Sequence, residues 1–420
     1  MIELRTKWRI AAACLWCFGC GFSDAAPGAL LPYIEDFYNI SYSIVSLIWM
    51  ANAAGFIVVA AFAGKIQKWF GLRKSLLIGC ISSCIMYGMV SSGAHFAVIV
   101  AGFFMGGIGL GICLSQCNVY LSRLDGGSIY LAYLHTTFGV GATVSPLIGT
   151  AMVNSGVKWH YFYTILLGII IANGANLWFA FEGENFAETN SSDPKDSEAV
   201  VPEELEGQVT SKNASSGEML EAMKNRSTWL MSLISLFYQG AEVAFAGWIV
   251  TYLMDYKKGS TNAIGYVASG FWGGLTLGRL FLTPLLFKYC GIRMSFYITG
   301  VLAIVMVVAV WVTPNIIASG VFVAIAGVLA GPNYTLMFAI TPRMFPRKIQ
   351  MISVTFMTAL GSIGGAIFPF VVGLISQYSG TYVVLPVFVS LYSVMVILWL
   401  ALPNVEKDFK AGTPWWKRIL

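Results

Sequence analysis

Twelve apolar runs alternate with polar connections along the chain, each near the roughly 20 residues a helix needs to cross a bilayer core. They cover about 9–32, 43–63, 75–94, 96–121, 129–153, 160–181, 228–253, 262–287, 294–313, 316–341, 350–376 and 381–402. The pattern predicts an all-α membrane protein with twelve transmembrane helices. All connections are short except one. Residues 183–226 are polar, acidic and rich in Ser, and they divide the runs six and six. The expected organisation is a six-helix bundle over 1–182, a linker over 183–226, a second six-helix bundle over 227–404 and a tail over 405–420.

Composition strengthens the membrane assignment. Of 420 residues, 57% are hydrophobic and 11% charged, against about 25% charged in soluble domains. Forty-four glycines suit helices that pack closely in lipid. The net charge of +5 comes from basic residues scattered through the connections, which is a topology signal and not a nucleic-acid surface. The eight cysteines lie mainly inside apolar runs and read as small packing residues, Cys14, Cys17 and Cys20 included. No metal site, cofactor or cleavable signal peptide is expected.

Lys and Arg set the orientation. With the N-terminus in the cytoplasm, segments on that side carry 21 Lys and Arg, and the opposite connections carry three, Lys158, Lys257 and Lys258. The positive-inside rule then places both termini and the long linker in the cytoplasm. A plasma-membrane location and a monomer are the expectation.

An internal repeat supports two parallel halves. The stretch Gly64 to Ser75 (GKIQKWFGLRKS) follows the second run, and Pro284 to Ser295 (PLLFKYCGIRMS) follows the eighth. Lys68, Gly71, Arg73 and Ser75 recur as Lys288, Gly291, Arg293 and Ser295 at a single offset of 220.

Two carboxylates lie deep in the apolar runs, Asp24 in the first and Glu242 in the seventh, at an offset of 218. Ionisable groups inside a membrane usually mark a pathway or a proton relay, so both are expected to couple protons or bind substrate. The plainer alternative is a protonated carboxyl that tightens helix packing. His135, in the fifth run, is a third candidate for substrate contact or proton relay. Arg279 lies six to nine residues from the loop holding Lys288 and is grouped with the gating residues Gly64, Lys68, Gly71, Arg73, Lys288, Gly291 and Arg293. Asn52, Gln116, Asn118, Gln239, Asn333 and Tyr334 are candidate cavity residues. Trp272 could stack on a sugar ring, though a Trp in a membrane helix more often packs or anchors at an interface.

With these features the chain resembles the major facilitator superfamily over essentially its whole length. The resemblance rests on twelve helices, a long central loop and the Gly-x3-[acidic]-x2-Gly-x-Arg-Lys pattern after the second helix. Lys68 stands where the family usually has Asp, and "VAGFFMGGIGLG" lacks the family's helix-four Arg. That absence, with "YQGAEVAFAGWIVTYL", "FWGGLTLGRL" and "GLGICLSQCNVYL", is similar to the fucose–proton symporter branch and its fungal relatives. Asn118 matches an Asn of that branch. The branch's helix-four glutamate falls on Leu114, and its helix-one aspartate falls nearer Gly28 than Asp24. The resemblance implies a proton-coupled transporter of a small polar solute, a sugar, working by alternating access in a lipid bilayer.

Two other readings stay open. "GATVSPLIGT" partly matches the fifth-helix motif of proton-coupled drug antiporters, which suggests an exporter. A non-transporting receptor is the third, and the short C-terminus speaks against it. No nucleophile elbow or phosphate loop appears, so the chain is not expected to be an enzyme.

Overall fold

The computed structural model describes residues 4–125, 127–184, 216–259 and 261–405. Among the described residues the secondary structure is helical, with no strand. Eleven helices among the described residues are long and apolar enough to cross a membrane. The eighth expected run is helical too, but it is interrupted. α10 (Thr261–Leu277) passes through a π-helical segment, Gly278–Leu282, into α11 (Thr283–Tyr289), so neither α-helical piece reaches spanning length.

The chain folds as two compact units, Met1–Ala26 with Leu47–Lys212, and Pro27–Ser46 with Asn213–Leu420. The first contains α1 (Leu4–Asp24), α4 (Leu47–Ser91), which holds the second and third spans joined at the non-helical Gly71, α5 (Phe96–Ser122), α6 (Gly127–Asn154) and α7 (Phe162–Ala180). The second contains most of α2 (Ala26–Tyr38) and all of α3 (Tyr42–Val45). It continues with α8 (Ser216–Lys224), α9 (Arg226–Asp255), α10, α11, α12 (Gly291–Val312), α13 (Ile316–Ala339), α14 (Thr341–Met344), α15 (Arg347–Ser379) and α16 (Val384–Leu400). The first apolar run is therefore broken at Ala25. Pro27 explains the break: it has no N–H to donate, and its ring conflicts with the carbonyl of Ser23, four residues back.

Close backbone approach organises both units in the same way. In the first, α1 meets α6 at Gly21 and Gly141. A Cβ on either would fall 1.9 Å from Phe138 O or 2.0 Å from Phe18 O. In the second, α10 meets α13 at Gly278 and Gly327, where a Cβ would fall 2.1 Å from Val328 O or 2.3 Å from Phe271 O. Only glycine fits such contacts, which are how helices associate where lipid removes most of the hydrophobic drive. α9 packs mainly on α15. First-on-fifth and second-on-fourth helix packing thus recurs in each unit.

The repeated loops are also built alike. Gly71 and Gly291 have φ of 69° and 71°, a region nearly closed to other residues. Ser75 Oγ donates to Gly71 O at 2.7 Å, and Ser295 Oγ donates to Gly291 O. Arg73 Nε donates to Trp178 O at 2.8 Å, and its guanidinium lies 3.8 Å from the Trp178 ring centre. Arg293 Nη2 donates to Leu400 O at 3.3 Å. Each arginine therefore holds the last turn of the sixth helix of its own unit. Cations are favoured there because the final carbonyls lack helical partners and carry the negative end of the dipole. Arg9 reinforces this in the first unit through Ala180 O and Glu184.

Candidate functional site

A connected group of polar side chains within the apolar helices lies in the second unit and begins on α9. Tyr238 and Glu242 are four residues apart, so they share one helix face. α10 crosses that face and brings in Arg279 from its π-helical segment. Such segments add a residue to a turn, and they recur at functional sites because they re-aim a side chain. The backbone at 278–279 is pressed onto α13. A Cβ at Gly331 would meet Arg279 N at 3.1 Å, which fixes where the arginine starts.

Arg279 Nη2 donates to Glu242 Oε1 at 3.2 Å and Oε2 at 3.3 Å. Both carboxylate oxygens thus share one nitrogen, whereas a forked pair would use two. The same Nη2 reaches Tyr238 OH at 3.5 Å, and that hydroxyl donates to Ala330 O at 3.2 Å. Arg279 Nε is buried and makes no hydrogen bond. The Glu242 side chain is 10% exposed and that of Arg279 28%. The pair is therefore mostly removed from water but open on the arginine side.

Aromatic rings frame it. The guanidinium sits 5.3 Å from the Tyr334 ring centre, within cation–π range. Tyr334 stacks on Tyr238 with centroids 5.6 Å apart, and Tyr392 lies 6.2 Å from Tyr238. Asn333 Nδ2 donates to Tyr392 OH at 3.5 Å, while Thr299 Oγ1 donates to Asn333 Oδ1. Glu242, Arg279, Asn333 and Tyr334 therefore belong to one continuous polar and aromatic cluster.

Arg279, grouped by sequence with the loop residues, is placed by the fold beside Glu242. Its partner is Glu242 and not the loop motif, because the π segment turns it toward α9. Arg73 and Arg293 act on helix ends, and Lys288 is exposed beside Tyr289. The surroundings of Gly64 and Lys68 lie outside the described residues. Gln239 is half-buried against Gly361 of α15, and Trp272 is buried beside Phe271. Tyr238, Tyr392 and Thr299 were not among the sequence candidates. The i, i+4 spacing to Glu242 was the available signal for Tyr238; nothing local marks the other two.

The first unit holds the remaining candidates. Asp24 ends α1 at the break and is exposed. His135 is half-buried on α6, and Asn52 is half-buried on α4 at the contact with Gly107. Asn118 and Gln116 are fully buried on α5. Neither amide atom of Asn118 has a protein partner, nor has Gln116 Oε1. Buried amides are nearly always hydrogen-bonded in folded proteins, so each of these two marks a polar point in the bundle, on different faces of α5 because they are two residues apart. At the C-terminal end of α9, within the second unit, a cavity of about 530 Å³ is lined by Glu35, Asp36, Tyr42, Asp255 and Gln377 among others. Tyr42 OH donates to Asp255 Oδ2 there at 2.6 Å.

Comparison with known proteins places these features in context. The family model described as Major Facilitator Superfamily matches residues 13–261. "Bypass of stop codon protein 6" of Saccharomyces cerevisiae is 28% identical over 395 residues, covering 88% of this chain and 77% of that protein. A glucose/galactose transporter of Brucella abortus is 22% identical over 388 residues, with 87% of each chain covered. A multidrug efflux protein of Bacillus subtilis is 23% identical over 384 residues, covering 89% of this chain and 87% of that one. Among solved structures, the E. coli fucose:proton symporter aligns with a TM-score of 0.61 at 15% identity, over 93% of this chain and 97% of the other.

Proposed function

The chain belongs to the major facilitator superfamily, a family of multi-pass membrane transporters, and from that membership we propose that it is a secondary active transporter that carries a small, hydroxyl-rich solute together with protons. The observation that carries this reading is the Glu242–Arg279 pair, with Tyr238, Tyr334 and Asn333 around it. A carboxylate can bind and release a proton, and its arginine partner responds to that change of charge. Aromatic faces and amide groups are the usual equipment for binding a hydroxylated ring. In the first unit, Asp24, His135, Gln116 and Asn118 are proposed to take part in binding solute or moving protons. The identity of the Brucella relative supports a sugar-like substrate.

Solute binding would favour exchange between inward- and outward-facing states. The Lys and Arg distribution supports a cytoplasmic location for both termini, and the plasma membrane is the proposed location. The Gly71 and Gly291 loops, with Lys288, are proposed to act indirectly in gating, by fixing the helices they cap.

The test is reconstitution. Purified protein in liposomes, given an inward proton gradient, should accumulate labelled solute from a panel of hexoses and related polyhydroxy compounds. The Bacillus relative supports a second reading, proton-coupled export. Uptake of lipophilic cations by inverted vesicles, with no accumulation anywhere in the polyhydroxy panel, would replace the first reading with the second.

A further inference from the structure

The geometry of the ion pair says more about the solute than its polarity. Arginine is charged at every physiological pH. Arg279 therefore always needs a negative partner, and in this structure Glu242 supplies it. The charges facing the pair can be named element by element. α9 contributes Tyr238 and Glu242, α10 and its π segment contribute Arg279, α13 contributes Tyr334 and α16 contributes Tyr392. α15 has its titratable side chains only near its ends, at Arg347, Lys348 and Tyr378. Phenols are neutral near pH 7. Within this cluster the formal charge is one plus and one minus.

A proton arriving on Glu242 upsets that balance. The carboxyl becomes neutral and Arg279 is left as an unpaired, mostly buried cation, a state that is strongly unfavourable. A neutral solute cannot repair it, but an anionic one can. The guanidinium is ready for such a ligand. Glu242 occupies one nitrogen, and the buried Nε donor has no acceptor. A planar carboxylate matches the fork of Nε with Nη2, the nitrogen that a protonated Glu242 gives up. Half-buried Tyr334 offers a ring face and a hydroxyl beside it, while Tyr238, Tyr392 and Asn333 are buried behind and hydrogen-bonded within the protein.

We infer that the solute carried at Arg279 is a hydroxylated carboxylate, of the sugar-acid class, and that it moves with one proton bound to Glu242. As the proton from the entry side bonds to a Glu242 oxygen, the Arg279 hydrogen bonds pass from Glu242 to the solute carboxylate. On release the O–H bond breaks, the proton leaves on the exit side and Glu242 takes Arg279 back. One positive and one negative charge cross together, so the cycle is electroneutral. This inference rests on the transporter reading above and narrows its substrate.

The experiment uses full-length protein in liposomes, with labelled glucuronate, gluconate and glucose as probes. An inward pH gradient should drive accumulation of glucuronate or gluconate, and a valinomycin-imposed potential should not change it. Arg279→Gln should weaken carboxylate uptake about a hundredfold, the loss expected for a buried charge partner. Arg279→Lys, which keeps the charge and loses the fork, should lower apparent affinity about tenfold while remaining folded by thermal shift. Glu242→Gln should retain carboxylate exchange but lose its pH-driven accumulation. Electrogenic accumulation of glucose with no carboxylate uptake would overturn the inference and leave the transporter reading standing. Failure of all three probes, together with the wider polyhydroxy panel, would overturn both.

Discussion

The loops after the second and eighth spanning helices are near copies, whereas the first helices of the two units have diverged. Gly71 and Gly291 share a left-handed backbone, and Arg73 and Arg293 cap the sixth helix of their own units. Asp24 and Glu242 occupy nearly equivalent places in the repeat yet have different surroundings. Asp24 ends a broken helix and is exposed, while Glu242 lies in an unbroken helix, buried and paired with Arg279. The first unit has no arginine at the place of Arg279: position 59, at the repeat offset, is Val. A duplicated fold can keep the devices that stabilise helices and change the charges that contact a solute, because the two tasks use different residues.

The largest test of that contrast is to remove each carboxylate. Glu242→Ala should cost about 3 kcal/mol of stability, the lower end for a broken buried pair because Arg279 retains some exposure. Asp24→Ala should cost less, about 1 kcal/mol, the common effect of a single substitution outside a buried ion pair. Thermal melting in detergent reads both, and equal melting of the two variants would remove the distinction. Both variants should lose proton-driven accumulation.

Next in size is the close approach between α10 and α13, which aims Arg279. Gly278→Val should destabilise by about 1–3 kcal/mol through overpacking against the Val328 carbonyl. Gly88→Val, at a glycine with nothing within 4 Å of its Cβ position, should be much milder. A melting temperature that is the same in both would show that the backbones are not held so tightly.

The loop copies predict smaller and matching effects. Arg73→Gln and Arg293→Gln should each lose about 1 kcal/mol, from one charge-assisted bond at a helix end. If one is silent while the other unfolds the protein, the loops are not functional equivalents. Ser75→Ala and Ser295→Ala should be the mildest pair, at about 0.5 kcal/mol each.

Most of the fold was legible in the chain. Length and apolarity alone define a spanning helix, so the twelve runs could be counted directly. The eighth escaped a count by helix length only because its backbone switches to π geometry around Arg279. The loop motif was visible as a repeat, but not its task, since Arg73 acts on a carbonyl 105 residues away. The carboxylates were visible because any charge stands out in an apolar run. Tyr392 and Thr299 were not, because a lone hydroxyl among apolar residues has no local mark.

The sequence by itself determined the membrane class, the helix count, the two-fold repeat and the existence of two intramembrane carboxylates. Each depends on local composition or spacing, which a bilayer reads residue by residue. Only the tertiary structure decided that Pro27–Ser46 packs with the second-half helices, that Arg279 belongs to Glu242 and that the loop arginines close helix ends. Those facts depend on which helix faces meet and at what distance. Glycine contacts and one π turn set that distance, and neither can be read from a hydropathy pattern.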